Sequence, residues 1–130
     1  MKKILICEDE EDMQLILTTA LTQRNFEVHS AKDGAQAKKK SKRLKPDLIL
    51  MDIRMPKLDG IEVAKEIRKF DNKVKIIFMT AFESPQIKNE ASKYNITAYL
   101  NKTIPLEENI KSIEEALSEG GGQNETNSNL

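Results

Sequence analysis

The chain has 130 residues, one cysteine, and equal numbers of basic and acidic side chains, 21 of each. This length fits a single domain, and the balanced charge gives no reason to expect a nucleic acid or a membrane surface as a partner. One cysteine excludes a disulfide framework within the chain, and without a signal-like segment or a membrane span in the sequence we expect a soluble, cytoplasmic protein.

Five short apolar runs are predicted to be strands, and the stretches between them have helical patterns. The runs are residues 4–7, 26–30, 48–51, 76–79 and 98–100. Continuous apolarity is typical of strands that are covered on both faces. Strands that alternate with helices indicate a parallel sheet with crossover helices, so we predict a doubly wound α/β fold.

Polar residues mark where the helices begin. Asp33 and Gln36 form a capping-box pattern before the second helix. Asp59 precedes the apolar positions of the third helix, and Ser84 followed by Pro85 is a typical start for the fourth. Asn95 should end the fourth helix in the left-handed conformation.

The last predicted helix covers residues 106–117 and places four apolar side chains on one face, those of Leu106, Ile110, Ile113 and Leu117. Residues 120–129 contain no apolar side chain, and glycine, asparagine and serine dominate them. Such a segment cannot bury enough surface to fold. We expect a folded domain of residues 1–118 and, over residues 119–130, a disordered tail or a truncated linker.

Polar side chains follow four of the five predicted strands. Glu8 and Asp9 follow the first strand, Asp52 the third, Thr80 the fourth, and Lys102 comes just after the fifth. The carboxyl ends of parallel strands lie at one edge of a sheet, where open α/β folds bind ligands. Three carboxylates at one edge would repel each other and call for a cation. Oxygen ligands favour a hard ion, and Mg²⁺ is the expected one.

Asp52 is the best candidate for a nucleophile at this edge. A carboxylate oxygen can attack phosphorus to give an aspartyl phosphate, and the central strand presents Asp52 between the other two acids and the lysine. Lys102 could then neutralise a phosphoryl oxygen while Thr80 offers a hydroxyl donor.

Motifs at residues 8–9, 52–60, 79–81 and 99–102 closely resemble the receiver domains of two-component response regulators, including the single-domain chemotaxis and sporulation phosphorelay types. The likeness spans residue 2 to about 118. It implies a flavodoxin-like sheet with strand order 2-1-3-4-5 and helices on both faces. It also implies that Asp52 accepts phosphate from a sensor histidine kinase or a histidine phosphotransfer protein, as a signalling phosphoacceptor that catalyses only its own phosphorylation and dephosphorylation.

The resemblance also implies roles for individual residues. Lys102 would contact the phosphoryl group, and Thr80 with Tyr99 would form a switch pair that changes the surface of the fourth helix, fifth strand and fifth helix. An aromatic residue in an apolar strand is also a common core residue, so that interpretation of Tyr99 stays open. The implied Mg²⁺ ligands are Asp9, Asp52 and the backbone carbonyl of Arg54, with Glu8 contributing through a water.

Two positions depart from the family pattern. Receivers usually have proline after the active-site lysine, in a cis peptide bond, whereas this chain has Thr103. A cis bond before a residue other than proline costs about 3 to 4 kcal/mol. We nevertheless predict a cis Lys102-Thr103 bond, because the lysine needs the same reach; the alternative is a trans loop. The second departure is Phe82, which with Arg54 stands at family positions that flank the phosphorylation site, and the bulk of the two side chains suggests restricted access of water.

Two other classes of protein share parts of this pattern. A phosphatase of the haloacid-dehalogenase type would need Asp-x-Asp, but the sequence reads Asp52-Ile53-Arg54. A flavin binder would need a phosphate loop after the first strand, where acids stand instead. Within the receiver interpretation the sequence leaves open the kinase, the signal, the downstream protein target, and whether the receiver stands alone. It also leaves open whether the chain is a monomer or forms a phosphorylation-dependent dimer.

Overall fold

The computed structural model describes residues 1–53, 59–81 and 84–118. The strands are β1 (Lys3–Cys7), β2 (Glu27–Ala31), β3 (Leu48–Asp52), β4 (Lys75–Thr80) and β5 (Ala98–Asn101). The α-helices are α1 (Glu11–Thr22), α2 (Gly34–Leu44), α3 (Gly60–Arg68), α4 (Pro85–Ala91) and α5 (Leu106–Ser118), and a 3₁₀ turn, Ser92–Tyr94, follows α4. Each predicted strand is present and differs from its prediction by one residue at one or both ends.

All pairs of neighbouring strands are parallel, and the sheet order is β2-β1-β3-β4-β5. This confirms the predicted doubly wound fold and its strand order. Leu5, Ile49 and Phe78 lie on the face that packs against α2, α3 and α4. Ile4 and Leu50 lie on the other face, against α1 and α5. Because both faces are covered, the central strands are apolar except at their ends.

The predicted helix starts are confirmed by side-chain caps. Asp33 Oδ1 accepts from Gln36 N at 2.8 Å, and Ser84 Oγ accepts from Ile87 N at 3.4 Å. Asp59 caps α3 in the same way, through Glu62 N at 2.9 Å. The cap at Asp33 differs slightly from a capping box. In a capping box the Gln36 side chain would accept from the backbone N of Asp33, whereas here its amide oxygen accepts from the residue before, through Lys32 N.

Asn95 has the predicted left-handed conformation, with a φ of 57°, but it ends the 3₁₀ turn that follows α4, and α4 itself ends at Ala91. The predicted disordered tail, residues 119–130, lies outside the described residues, as do Arg54 and Phe82. Within the described ranges, no helix has both the length and the apolarity needed to cross a membrane.

Gly60 begins α3 directly against the end of β3. Its backbone N donates to Ile53 O at 2.6 Å, and a Cβ at this position would lie 2.7 Å from the Asp52 carbonyl oxygen and 2.9 Å from Ile53 Cα. Both neighbours are backbone atoms, which cannot move aside as a side chain can. Only glycine therefore fits between α3 and the strand that carries Asp52.

We expect Gly60→Ala to lower the free energy of unfolding by about 1 to 3 kcal/mol, the usual cost of overpacking. Urea denaturation of both proteins measures this difference. Lys65→Ala, at an exposed position of the same helix, is the matched control and should change the stability by no more than about 0.5 kcal/mol. An unchanged denaturation midpoint for Gly60→Ala would show that the helix can shift without cost.

Candidate functional site

The carboxyl ends of four strands bring the predicted polar residues to one edge of the sheet. Asp52 is the last residue of β3 and pairs with Met79 in β4. Thr80 ends β4 and pairs with Asn101, the last residue of β5. Asp52, Thr80 and Asn101 thus belong to the strands themselves, whereas the sequence suggested that they follow them. Their backbone positions are therefore fixed by sheet hydrogen bonds.

Three carboxylates meet at this edge. Glu8, Asp9 and Asp52 each offer one oxygen, and these oxygens lie within 4.8 Å of one another. Glu8 is buried, Asp52 is partly buried and Asp9 is exposed. The backbone N of Glu10 donates to Glu8 Oε2 at 3.1 Å and so holds that side chain in place. An all-oxygen set of acids, open to solvent on one side, fits a hard divalent cation such as Mg²⁺.

The ammonium group of Lys102 lies among these acids. Its Nζ is 2.8 Å from Asp52 Oδ2 and 3.0 Å from Glu8 Oε1. Burial lowers the pKa of Lys102, but the hydrogen bonds to the two carboxylates outweigh it, and the net pKa lies above the ordinary value. Burial raises the pKa of Glu8, an effect that the Lys102 ammonium partly offsets. The lysine therefore carries its charge at neutral pH and compensates the acids.

The prediction of a cis bond between Lys102 and Thr103 was wrong, because the chain contains no cis peptide bond there. Lys102 reaches the site through a trans loop. Its backbone N donates to Thr80 O at 2.9 Å, which continues the pairing of β4 and β5 past the end of the strand. Asn101 Oδ1 then accepts from both Thr103 N, at 2.7 Å, and Thr103 Oγ1, at 2.6 Å. This side-chain turn directs the loop, so a cis bond is not needed for the lysine to reach Asp52.

Thr80 and Tyr99 lie on neighbouring strands and on the same face of the sheet. Tyr99 pairs with Phe78, two residues before Thr80, and the two ring centroids are 6.1 Å apart. The Nζ atom of Lys88, in α4, lies 5.5 Å from the centre of the Tyr99 ring. Burial raises the pKa of the Tyr99 hydroxyl. Tyr99 is thus half in the core and half against α4, a place from which it can affect that helix.

The cysteine and the histidine of the chain have no part in this cluster. Cys7 is buried, and burial raises the pKa of its thiol far above the ordinary value. It is an inert apolar side chain. His29 lies on β2 with its Nε2 2.7 Å from Glu27 Oε2, and β1 separates that strand from Asp52 in the sheet order.

Asn109 is a residue near the site that the sequence analysis missed. Its Nδ2 donates to the Asn101 carbonyl at 3.0 Å, from the inner face of α5. A signal was present in the sequence, since an amide between Leu106 and Ile110 interrupts the apolar face of the helix. That signal does not identify the partner, because the partner is a backbone carbonyl at the end of β5, which the sequence of the helix does not specify.

Comparisons with known proteins agree with this architecture. The family model of the response regulator receiver domain matches residues 4–114. The response regulator receiver protein CpdR of Brucella abortus is 32% identical, over 90% of this chain and 98% of its own length. The chemotaxis protein CheY of Thermotoga maritima is 37% identical over 78% of this chain and 85% of its own length. Regulatory protein AtoC of Escherichia coli is 36% identical, but the chain spans only 25% of its length.

Solved structures show the same fold. The response regulator protein TrrA of Thermotoga maritima, solved in complex with Mg(2+)-BeF, superposes with a TM-score of 0.80 at 32% identity, over 90% of this chain and 100% of that one. The non-phosphorylated HemR receiver domain of Leptospira biflexa gives a TM-score of 0.86 at 25% identity, over 91% of this chain and 95% of that one.

Proposed function

This chain belongs to the family of response regulator receiver domains, which are signalling domains, and we propose that it accepts a phosphoryl group on Asp52. The observation that carries the proposal is the contact of the Lys102 ammonium with Asp52 inside a cluster of three carboxylates. A lysine in an ordinary cluster of surface charges is solvated, whereas the side chains of Lys102 and Asp52 are only 18% and 12% exposed. The proposed donor is the phosphohistidine of a sensor histidine kinase or of a histidine phosphotransfer protein, and the proposed folded unit is residues 1–118.

In the proposed reaction an Asp52 carboxylate oxygen attacks phosphorus in line with the histidine nitrogen. The new P–O bond forms as the P–N bond breaks, and the imidazole leaves with the bonding electrons. Lys102 transfers part of its interaction from Asp52 to a phosphoryl oxygen, and the Thr80 hydroxyl donates to another. Glu8 holds the ammonium near the reacting centre throughout, through its own 3.0 Å contact.

A divalent cation completes this proposal. We propose that Asp9, Asp52 and the backbone carbonyl of Arg54 hold Mg²⁺, with Glu8 contributing through a water; Arg54 lies outside the described residues. When bound, Mg²⁺ neutralises the acids and the charge that develops on the phosphoryl oxygens. The Mg²⁺ in the complex of TrrA supports the choice of this ion.

We expect acetyl phosphate to give a covalent phosphoryl adduct with Mg²⁺ present and none in excess chelator. Without the cation, the negative cluster repels the phosphodonor. Intact-mass spectrometry measures the fraction of protein that carries the adduct. As a control, adding Mg²⁺ back after chelation should restore the adduct, which shows that the chelator has not inactivated the protein. An equal yield of adduct in excess chelator would remove the metal from the mechanism.

We further propose that the phosphoryl group changes the surface made by α4, β5 and α5, residues 85–117. Thr80 would move toward a phosphoryl oxygen and leave space into which Tyr99 turns, which shifts the population between two packings. The Tyr99 ring lies against Lys88 of α4, so its movement changes that helix directly. The changed surface would then bind a downstream protein or a second copy of the chain.

Hydrogen exchange with and without beryllofluoride and Mg²⁺ tests this switch. We expect amide exchange to change around Asp52 and most strongly over residues 84–94, since Lys88 of α4 lies against the Tyr99 ring. Beryllofluoride without Mg²⁺ is the control. Changes confined to residues next to Asp52, with residues 80–117 unaffected, would make the domain a phosphate carrier and not a switch.

A further inference from the structure

Asn109 is a polar residue on the apolar inner face of α5. It is 1% exposed and lies in the helix turn that also buries Ile110. A buried amide lowers stability unless its polar atoms are hydrogen-bonded. Its Nδ2 has a partner, the Asn101 carbonyl, but its Oδ1 is buried without a hydrogen bond among the described residues. The amide therefore packs less favourably than an apolar side chain would, and its one favourable contribution is the hydrogen bond to the Asn101 carbonyl.

That bond fixes the residue just before Lys102. The Asn101 carbonyl accepts from Asn109, and the Asn101 side chain accepts from both donors of Thr103. Lys102 N is bonded to Thr80 O. The backbone around the lysine is therefore hydrogen-bonded to β4 and to α5, and the turn from Asn101 to Thr103 is also closed by bonds to the Asn101 side chain. These bonds hold the trans loop in the place where a receiver usually has proline.

We propose that Asn109 is a positioning residue, which holds the Asn101–Thr103 turn so that Lys102 keeps its ammonium on Asp52. The inference rests on the proposed function, since the lysine must reach the phosphoryl group for its position to matter. Asn109 acts only through the loop: it touches Asn101, and Asn101 adjoins the lysine. The Asn101 carbonyl also accepts from Ile104 N at 3.3 Å, but that bond lies within the turn itself. Without the bond from α5, the turn would be held only by β4 and by its own bonds, and it could shift relative to the helix and carry the lysine with it.

The test compares Asn109→Leu with the unchanged protein, with acetyl phosphate and Mg²⁺ as the probe. A misplacement of about 1 Å in a reacting group can cost about a hundredfold in rate. We expect Asn109→Leu to slow formation of the adduct by about tenfold or more. Its stability toward urea should not fall, because leucine completes the apolar face and removes the unpaired oxygen. Lys111→Ala, at an exposed position of the same helix, should change neither quantity.

A second measurement separates positioning from a general structural role. In the Lys102→Met background, Asn109→Leu should have no further effect on the rate, because the group that it positions is already gone. Thr103 is exposed, so its variants keep the fold: Thr103→Val, which loses the hydroxyl bond to Asn101, should slow the reaction several-fold, and Thr103→Ser should restore it.

The proposal is overturned if folded Asn109→Leu reacts as fast as the protein of the original sequence. It is also overturned if Asn109→Leu slows the reaction by the same factor with methionine at position 102 as with Lys102. If Asn109→Leu does not fold, the Thr103 pair decides, and equal rates for Thr103→Val and Thr103→Ser overturn the proposal. An unchanged protein that forms no adduct at all would reject the proposed function instead, which keeps the two failures distinct.

Discussion

Asp52→Asn is expected to abolish the phosphoryl adduct that the unchanged protein forms with acetyl phosphate and Mg²⁺. Asparagine keeps the shape of the side chain but replaces the nucleophilic carboxylate oxygen with an amide, which does not attack phosphorus. We do not expect the other acids to take over, since Glu8 is buried and held by Glu10 N and Lys102, and Asp9 is a proposed metal ligand. Intact-mass spectrometry measures the loss.

Two variants make the result specific to Asp52. Asp12→Asn, at an exposed position of α1, removes one acid that is not part of the cluster of Glu8, Asp9 and Asp52 and should leave the adduct unchanged. Asp9→Asn removes a proposed metal ligand but keeps the nucleophile, so it should need more Mg²⁺ and still react. A full adduct on folded Asp52→Asn would place the phosphoryl group on another residue and contradict the proposed function.

The fold could be predicted from the sequence because each central strand is covered on both faces. Every residue from Ile4 to Cys7 is buried, so this strand lacks the alternation of apolar and polar residues that is typical of a strand with one exposed face. The ends of the strands were less predictable, because hydrogen bonding and not apolarity decides where a strand stops. Asp52, Thr80 and Asn101 are polar, yet each is paired within the sheet.

The candidate site was predictable where the fold alone brings residues together, and not where a loop does so. Glu8, Asp9 and Asp52 converge because parallel strands share an edge. The path from Asn101 to Thr103 depends on bonds between side chains and backbone, among them one from Asn109, eight residues away. Residue types alone do not specify such bonds. The cis bond was therefore predicted by analogy, and the trans loop had to be found in the structure.

Lys102→Met is expected to slow formation of the adduct by about a hundredfold, the usual effect of removing one group that stabilises charge in a transition state. The variant should also be less stable at neutral pH in the absence of metal. Glu8 and Asp52 would lose the ammonium between them, and leaving buried acids without their cation should cost about 1 to 3 kcal/mol here, below the value for a fully buried pair because Asp52 is partly exposed. Acetyl phosphate kinetics and urea denaturation measure the two effects.

Adding Mg²⁺ should separate the two contributions of this lysine. A cation that binds the folded state stabilises it, so Mg²⁺ should restore most of the stability of Lys102→Met while the rate stays low, because the metal cannot take the place of the ammonium on the phosphoryl oxygen. Lys102→Arg is the matched control: it keeps the charge, and with it most of the stability, but its planar guanidinium has a different reach, so its rate should also fall. If Lys102→Met formed the adduct at the unchanged rate, Lys102 would serve only to balance the charge of Glu8 and Asp52.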